Sequence, residues 1–342
     1  MSATQLGPLP AVNRQFKLAA RPVGFPKESD FSLVTLPMPL PADGQVLVKS
    51  AYLSVDPYMR GRITGVRTYA DPVNIGDVMQ GGAVGQVVQS KAAGLSPRDF
   101  VAGMWGWQEF ATADAKSLRK LDPEVAAVST ALGVLGMPGM TAYFGLLDIC
   151  KPKPGETVLV SGAAGAVGSL VGQIAKINGC RTVGVAGTDD KIDWMLTDLG
   201  FDAAFNYKST SDYSAKLKEL CPHGIDCYFD NVGGAISDAV FPLMNVFGRI
   251  SVCGQISQYN LEKPEPGLRL LSFVLVKQLR VEGFIVSRFQ NRFAEGLPQM
   301  ALWLRAGRLK YREEVVEGFE NMAKAFIGML HGDNTGKMLV RA

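Results

Sequence analysis

The pattern of apolar and polar residues between positions 157 and 191 predicts the element around which the chain is organised. Thr157–Ser161 is a β-branched, apolar run of the kind that forms a buried parallel strand, and small residues at 162–168 interrupt it sharply. Apolar residues then recur at helical spacing over 169–177, and Arg181–Ala186 is typical of a second strand. Strand, glycine turn, helix and strand fit within about 30 residues, the size of one βαβ unit.

The glycines of this turn favour a dinucleotide site. Gly162, Gly165 and Gly168 would let the backbone turn tightly, approach a pyrophosphate without a Cβ and bring helix and strand together. Their spacing is G-x-x-G-x-x-G rather than G-x-G-x-x-G, and such a run alone is equally typical of a structural turn. Its place in a complete βαβ unit favours the cofactor interpretation. The predicted phosphate loop consists of Gly162, Ala163, Ala164, Gly165, Ala166, Val167 and Gly168.

The end of the second strand favours NADPH over NADH. An NAD site usually has Asp or Glu there to bind the ribose 2′-hydroxyl, but this strand is followed by Gly187 and Thr188. The Gly187 N–H, the Thr188 hydroxyl and the Lys191 ammonium would attract a 2′-phosphate, which a carboxylate would repel. In the alternative interpretation, Asp189 and Asp190 cap the next helix and Lys191 is merely solvated on it.

Strands and helices continue to alternate after this unit, which predicts a doubly wound parallel sheet. Further strands are expected at 203–207, 225–232 and 249–253, with helices at 190–199, 212–220 and 235–244. Ligands bind at the carboxyl ends of such strands, and Tyr207, Asn231 and Tyr259 follow three of them. A single loop Asn or Tyr usually satisfies its own turn, but three at successive strand ends favour a cofactor site.

Residues 1–131 show short β-like runs separated by Pro and Gly, which predict a small, twisted, mostly antiparallel β domain. Strands are expected at 31–36, 45–51, 85–89 and 100–105. Within this domain, Asp56-Pro57 predicts a turn that aims Tyr58 and Arg60 out of the barrel. In the alternative interpretation, which is equally open, Tyr58 packs against other residues and Arg60 forms a surface ion pair.

The last third of the chain predicts a return to the first domain. Residues 268–284 are expected to form a strand, either at the sheet edge against a second subunit or inside the sheet. A helix over 293–304 and a C-terminal turn and strand follow. The expected domains are therefore 1–131 with 300–342, and 132–299 for dinucleotide binding.

Composition excludes several classes of protein. A chain of 342 residues, 47% hydrophobic and 20% charged, is typical of a two-domain globular protein. The net charge of +3, without a basic run, argues against nucleic acid or anionic membrane as partners. No apolar stretch reaches the roughly 18 residues of a membrane span, and the first 21 residues lack a signal-peptide core, so a cytoplasmic location is expected. The five cysteines are scattered and only two histidines occur, so no metal site is expected and each cysteine is expected to be a small buried hydrophobe.

Seven motifs carry a family resemblance: Val55-Asp-Pro-Tyr-Met-Arg60, Gly162-Ala-Ala-Gly-Ala-Val-Gly168, Phe205-Asn-Tyr-Lys208, Cys227-Tyr-Phe-Asp-Asn-Val-Gly-Gly234, Gly248-Arg-Ile250, Glu317-Gly-Phe-Glu-Asn-Met322 and Gly332-Asp-Asn334. With them the chain resembles the zinc-independent medium-chain dehydrogenases/reductases. Within that superfamily it is most similar to the leukotriene B4 12-hydroxydehydrogenase/prostaglandin reductase family of NADPH-dependent alkenal/one oxidoreductases. The resemblance covers nearly the whole chain from about Phe31.

The resemblance implies an α/β fold, in which a Rossmann doubly wound parallel sheet is joined to a GroES-like twisted β-barrel domain. It also implies NADP(H) as cofactor and a homodimer. It assigns Lys191 and Tyr207 to the 2′-phosphate, where the end of the second strand adds Gly187 and Thr188. The residues that it assigns to the rest of the cofactor are Asn231, Cys253, Gly254, Ser257, Tyr259, Phe284, Ile285, Val286 and Asn334. Residues 61–79 and 255–269 agree least with the family, so the substrate is left open.

The expected reaction is reduction of the carbon–carbon double bond of an α,β-unsaturated aldehyde or ketone, as in alkenal/one and 15-oxoprostaglandin 13-reductases. Hydride goes to the β-carbon, an enolate develops at the carbonyl oxygen, and the α-carbon is then protonated. Tyr259, together with the ribose 2′-hydroxyl of the cofactor, is the expected hydrogen-bond donor to the enolate, and Tyr58 is the second candidate; which of Tyr259 and the ribose hydroxyl is the main donor is left open. A quinone oxidoreductase and a non-catalytic NADPH-binding protein are the alternatives. A zinc alcohol dehydrogenase is disfavoured because no Cys or His precedes Cys150.

Overall fold

A computed structural model describes residues 9–342 of the protein. The chain divides into two compact units. Unit 1 runs to Leu132 and also contains Val315–Asp333 and Met338–Ala342, and unit 2 contains Gly133–Glu314 and Asn334–Lys337. The chain thus returns to unit 1 at Val315 rather than at residue 300. The reason is that the helix over 293–305 packs inside unit 2, where the Trp303 ring lies 6.0 Å from that of Tyr143.

Unit 1 contains an antiparallel sheet, as the Pro- and Gly-punctuated pattern predicts. Its first elements are β1 (Val12–Leu18), β2 (Phe31–Pro37), β3 (Gln45–Ser54), α1 (Tyr58–Arg62), β4 (Ala83–Ser90), β5 (Phe100–Gly103), β6 (Phe110–Asp114) and β7 (Arg119–Leu121). Strand β3 pairs antiparallel with β4 and β6, β4 with β5, and β5 with β7. β1 and β2 form a separate antiparallel pair. β3 extends three residues beyond the expected strand, because its core-facing pattern continues through the buried Leu53.

Unit 2 contains the predicted parallel sheet. Its elements are α2 (Met137–Phe144), β8 (Thr157–Ser161), α3 (Gly168–Ile177), β9 (Arg181–Ala186), α4 (Asp189–Thr197), β10 (Ala203–Asn206), α5 (Tyr213–Leu220), β11 (Ile225–Asp230), α6 (Gly234–Val240), β12 (Met244–Val252), α7 (Leu271–Val276), β13 (Arg280–Gly283) and α8 (Phe293–Arg305). The strand order is β10-β9-β8-β11-β12-β13, and every neighbouring pair is parallel. This is the order of doubly wound dinucleotide-binding sheets, so the expected fold class is confirmed.

Residues 268–284 form a helix and a short strand instead of the single expected strand. Phe273 and Val274 on α7 pack against the apolar core of unit 2, whereas Leu271, Leu275 and Val276 point outward at 75–81% exposure. This spacing is that of a one-sided helix, which a short apolar run cannot distinguish from a strand. The strand that follows, β13, lies at the edge of the sheet.

The chain ends with a strand, a helix and a strand. These are β14 (Glu313–Glu317), α9 (Met322–His331) and β15 (Lys337–Arg341). β15 pairs antiparallel with β3, with Leu339 opposite Ser54, and completes a seven-stranded sheet with the order β14-β15-β3-β4-β5-β7 and β6 on β3.

Shorter helical turns connect these elements. They lie at Glu28–Asp30, Ala115–Ser117, Val128–Leu132, Phe241–Leu243, Val286–Arg292 and Phe319–Asn321, with a π-helix at Gly145–Cys150. Within residues 9–342, none of the helices has the length and apolar character needed to cross a membrane.

Candidate dinucleotide site

The carboxyl ends of β8 and β11 lie side by side in the centre of the parallel sheet. β8 pairs with β9 on one side and with β11 on the other, so the strand order reverses between β8 and β11. In doubly wound folds, ligands bind outside the carboxyl ends of the strands at this switch point. The loops that follow β8, β9, β11 and β12 therefore lie at the edge of the sheet where a ligand is expected.

The loop after β8 is as tight as its glycines require. Gly162 has a φ of +60°, a conformation that favours glycine. At Gly168, where α3 begins, an added Cβ would lie 2.4 Å from the Gly162 carbonyl oxygen and 2.8 Å from Ala163 Cα. The start of this ten-residue helix therefore stays close to the loop, an arrangement that fits a bound pyrophosphate.

Residues 334–337 hold this loop from its other side. Gly336 N–H donates to the Ala164 carbonyl at 2.8 Å, and the Asn334 side-chain amide donates to the Gly336 carbonyl at 2.8 Å. Gly336 has a φ of +74°, and a Cβ there would lie 2.1 Å from the Arg312 carbonyl oxygen. Asn334 is thus placed in unit 2 beside the phosphate loop. Gly336 was not predicted as a site residue, although the Asn-Thr-Gly sequence that ends at Gly336 is a visible turn signal.

Residues that were expected to bind the 2′-phosphate contact one another at the end of β9. An added Cβ on Gly187 would lie 3.0 Å from the Tyr207 ring, so the absent side chain lets that ring pack against the backbone. Thr188 caps α4 by accepting a hydrogen bond from Lys191 N–H at 3.4 Å, and the Lys191 side chain is only 8% exposed. The alternative interpretation of this segment is therefore wrong on two points, since the cap is Thr188 and Lys191 is buried.

Asn231 ties β11 to β8. Its backbone N–H donates to Ser161 Oγ at 2.9 Å, and its side-chain amide donates to the Ser161 carbonyl at 2.7 Å. The neighbouring Asp230 is 3% exposed and accepts several hydrogen bonds, including one from Ser161 Oγ. Ser161 and Asp230 were missed from the sequence, although a carboxylate directly after a buried strand is a signal for a buried polar group.

The loop after β12 rests on the loop after β11. Cys253 N–H and Gly254 N–H donate to the Asp230 carbonyl at 2.8 and 3.1 Å, and Ser257 Oγ donates to the Val232 carbonyl at 2.7 Å. The Tyr259 hydroxyl accepts a hydrogen bond from Gln255 N–H at 3.1 Å. Asn231, Gly254, Ser257 and Tyr259 are therefore brought together by backbone contacts between two loops.

Burial, with a smaller contribution from the Asp230 carboxylate, raises the pKa of the Cys253 thiol to about 12. Only a thiolate is a strong nucleophile, so Cys253 is a neutral lining group at neutral pH.

An open cleft of about 750 Å³ lies beside these loops. It is lined by Val252, Cys253, Gly254, Gln255, Tyr259, Gly283, Phe284, Ile285, Ser287 and Arg288. Phe284 is 7% exposed, with its ring 6.2 Å from that of Phe229, and Ile285 is 39% exposed. Val286 is half-buried and begins the short helix that follows. The cleft thus combines an apolar wall with the Tyr259 hydroxyl.

Tyr58 and Arg60 belong to unit 1, and Arg60 does not point outward as expected. They lie in α1, where Arg60 is 5% exposed and donates to the Gly24 carbonyl at 2.9 Å. Arg60 is therefore a buried structural residue rather than an outward side chain or a surface ion pair. Tyr58 is half-buried, and burial together with the Asp56 charge raises its pKa well above the usual value, so it is a neutral phenol.

The cysteines and acidic residues do not form a metal site in the described part of the chain. All five cysteines are free thiols, and four of them are buried, as expected. In the part of the chain that the structure describes, no three or more His, Cys, Asp or Glu side chains are grouped so as to hold a metal ion.

Comparisons with known proteins agree with this geometry. Two family models match, the N-terminal domain of oxidoreductase over residues 14–121 and the zinc-binding dehydrogenase over residues 166–301. Prostaglandin reductase 1 of Rattus norvegicus is 48% identical over 93% of this chain and 96% of its own length. The NADPH-dependent curcumin reductase of Escherichia coli is 44% identical over 96% of each. The crystal structure of CurA from Vibrio vulnificus in complex with NADPH is 45% identical, with a TM-score of 0.93 over 96% of this chain and 99% of that one.

The fold and the loops at its switch point define an oxidoreductase of the doubly wound, dinucleotide-binding class. The comparisons narrow this class further, because the similar proteins match over nearly the full chain. The chain belongs to the medium-chain dehydrogenase/reductase family, in the group that contains the NADPH-dependent prostaglandin and alkenal/one reductases. The family resemblance predicted from the motifs is confirmed.

Proposed function

We propose that this protein is an NADPH-dependent reductase that saturates the carbon–carbon double bond of small α,β-unsaturated aldehydes and ketones. The observation that carries the proposal is the position of Tyr259, which lines a partly apolar cleft between the loop after β12 and the segment after β13. Relatives named for prostaglandin, curcumin and 2-alkenal reduction support the substrate class. A similar solved structure that contains NADPH supports the cofactor.

The residues present fit this cofactor. Gly162 and Gly168 leave room for a pyrophosphate at the start of α3, and the buried Lys191 brings positive charge to the end of β9. Thr188 and Tyr207 would complete the 2′-phosphate end. The residues proposed for the nicotinamide end are Asn231, Cys253, Gly254, Ser257, Tyr259, Phe284, Ile285, Val286 and Asn334.

When bound, NADPH supplies the hydride that is added to the β-carbon of the substrate. The role of the protein side chains is to orient the enone and to stabilise the negative charge that develops on its carbonyl oxygen. Tyr259 is suited to this, because a hydroxyl that accepts a hydrogen bond from Gln255 N–H donates its own proton more strongly. Tyr58, a neutral phenol in unit 1, is the second candidate donor.

The activity is tested by following NADPH oxidation with a medium-chain 2-alkenal, an aryl enone and a quinone, each repeated with NADH. We expect the two enones to be consumed, the saturated carbonyl compounds to be the products, and NADPH to be preferred. Turnover of the quinone alone would contradict the proposal. Tight NADPH binding without oxidation by any of the three would identify a non-catalytic binding protein.

Lys191→Ala is expected to reduce the preference for NADPH over NADH by about 10- to 100-fold, because a charge-assisted hydrogen bond to a phosphate contributes about 1.5–3 kcal/mol. The measurement is kcat/KM with each cofactor, and the KM for NADPH should carry most of the change. Lys218→Ala, which removes an exposed lysine on α5, is the matched control. An unchanged preference in Lys191→Ala would place the 2′-phosphate elsewhere.

We also propose that the protein is a homodimer that joins two copies at β13. This strand is at the sheet edge, and α7 beside it presents Leu271 at 81% and Leu275 at 78% exposure. Light scattering after gel filtration should give twice the chain mass for the wild type and one chain mass for the double variant Leu271→Glu with Leu275→Glu. Leu302→Glu changes another exposed leucine of unit 2 and should stay dimeric. A wild type that is monomeric at all concentrations would refute the dimer.

A reducing compartment such as the cytoplasm is the proposed location. Five free thiols suit such a compartment, since cysteines of proteins in oxidising compartments are commonly paired. Localisation of a tagged full-length chain in fractionated cells tests this.

A further inference from the structure

Asp230 is the most heavily hydrogen-bonded side chain at the switch point. Its Oδ1 accepts hydrogen bonds from Ser161 Oγ at 3.0 Å, Tyr228 Oη at 2.8 Å, Val232 N at 3.0 Å and Gly233 N at 2.9 Å, and its Oδ2 accepts one from Ser237 Oγ at 2.7 Å. All five partners are donors, and an ionised carboxylate is an acceptor only. The side chain is 3% exposed, so these bonds replace water completely.

These bonds fix the loop that follows β11. Val232 N–H and Gly233 N–H converge on a single oxygen, which forces the backbone to turn around the carboxylate. Ser161 adds a link to β8, because its hydroxyl donates to Asp230 and accepts from Asn231 N–H at 2.9 Å. The conformation of residues 231–234 therefore depends on the Asp230 side chain.

The loop after β12 is held in turn by the carbonyl groups of this turn. Cys253 N–H and Gly254 N–H donate to the Asp230 carbonyl, Ile256 N–H donates to the Asn231 carbonyl at 3.3 Å, and Ser257 N–H donates to the Val232 carbonyl at 3.2 Å. Within this loop, Cys253, Gly254, Gln255 and Tyr259 line the cleft. A displacement of the turn at 231–234 would thus be passed to the cleft.

We infer that Asp230 is a positioning residue for the nicotinamide half of the site, which sets the geometry of both loops through its acceptor oxygens rather than through its negative charge. This inference rests on the proposed function. It predicts that the adenine half, built on the loop after β8 and the end of β9, is independent of Asp230.

The isosteric variant Asp230→Asn separates geometry from charge. The asparagine oxygen can keep the four donors that now meet Oδ1, and its amide can donate to the Ser237 hydroxyl. Ser237 can then turn its own O–H towards Tyr228 Oη, which lies 3.0 Å away. Asp230→Asn can therefore keep all five present contacts without the charge and adds only one further amide hydrogen, whereas Asp230→Ala leaves the turn without its acceptor.

The experiment measures binding of NADP+ and of adenosine 2′,5′-bisphosphate by calorimetry, together with kcat for an enone. We expect Asp230→Ala to raise the Kd for NADP+ at least tenfold and to lower kcat at least tenfold, with the Kd for the bisphosphate within twofold of wild type. Asp230→Asn should stay within about threefold of wild type in all three. The matched control is Asp226→Ala, at the opposite end of β11, where the carboxylate accepts from Thr157 N–H and Asn245. It should lower the melting temperature and leave both Kd values within twofold.

Two results would overturn the inference. One is an equal loss of NADP+ affinity in Asp230→Asn and Asp230→Ala, which would make the charge the contribution of Asp230. The other is an equal loss of bisphosphate and NADP+ affinity in Asp230→Ala, which would make its role purely structural. If Asp230→Ala does not fold, Ser161→Ala takes its place, because it removes one donor to Asp230 and the acceptor of Asn231 N–H. A threefold to tenfold loss of affinity for NADP+ alone supports the inference. If the affinity for NADP+ is not selectively lost, the inference is overturned. A wild type that binds neither compound would instead refute the proposed function, and the inference would fall with it.

Discussion

Gly168→Ala is expected to weaken NADPH binding by about 10- to 100-fold, the equivalent of an overpacking cost of about 1–3 kcal/mol. The added methyl group would lie 2.4 Å from the Gly162 carbonyl oxygen and 2.8 Å from Ala163 Cα, and both are backbone atoms that no side-chain rotation can move aside. The start of α3 would have to shift away from the loop after β8. Because the proposed pyrophosphate site is formed by these two segments, the shift would fall on that site itself. Titration of NADPH fluorescence measures the effect.

The control for Gly168→Ala is Gly61→Ala in α1. Among the described residues, nothing lies within 4 Å of the position that a Cβ on Gly61 would take, so this variant should bind NADPH like the wild type. Circular dichroism at the titration temperature shows whether Gly168→Ala is folded. A folded Gly168→Ala with wild-type affinity would mean that the glycine loop is a structural turn and not the phosphate site.

The elements of unit 2 that could be predicted from the sequence are those set by local pattern. The bounds of β8 and β9 agree with prediction to the residue, because each is a short β-branched run with a clear polar or glycine boundary. The helix α3 begins one residue earlier than expected, at the last glycine of the loop. Polar residues at the strand ends were also visible, which is why Tyr207, Asn231 and Tyr259 were proposed as site residues.

The features that were missed depend on contacts between distant parts of the chain. Asp230 gains its importance from Ser161, 69 residues earlier, and from a turn whose N–H groups point inward only in the folded chain. Arg60 looks like a surface residue in the sequence, yet it is buried against the Gly24 carbonyl, 36 residues away. Helix α7 was taken for a strand because a run with five apolar residues among six fits either period.

Tyr259→Phe is expected to lower kcat for enone reduction by about 10- to 1,000-fold, the usual effect of removing one hydrogen-bond donor to a developing oxyanion. The Kd for NADPH should stay within about twofold, because the ring is kept and only the hydroxyl, which lies beside Gly254, is lost. Stability should also change little. Gln255 N–H, which loses its acceptor, belongs to an exposed residue and can bind water instead.

A second tyrosine variant makes the test of Tyr259 specific. Tyr311→Phe removes the hydroxyl of a tyrosine of unit 2 that is 38% exposed and has no part in the proposed mechanism, so kcat should equal that of the wild type. Tyr58→Phe should have a smaller effect than Tyr259→Phe if Tyr259 is the main donor to the enolate oxygen. Unchanged turnover in Tyr259→Phe, together with a large loss in Tyr58→Phe, would transfer that role to Tyr58. In that case the neutral phenol of unit 1, kept protonated by burial and by the Asp56 charge, would be the group that meets the substrate oxygen.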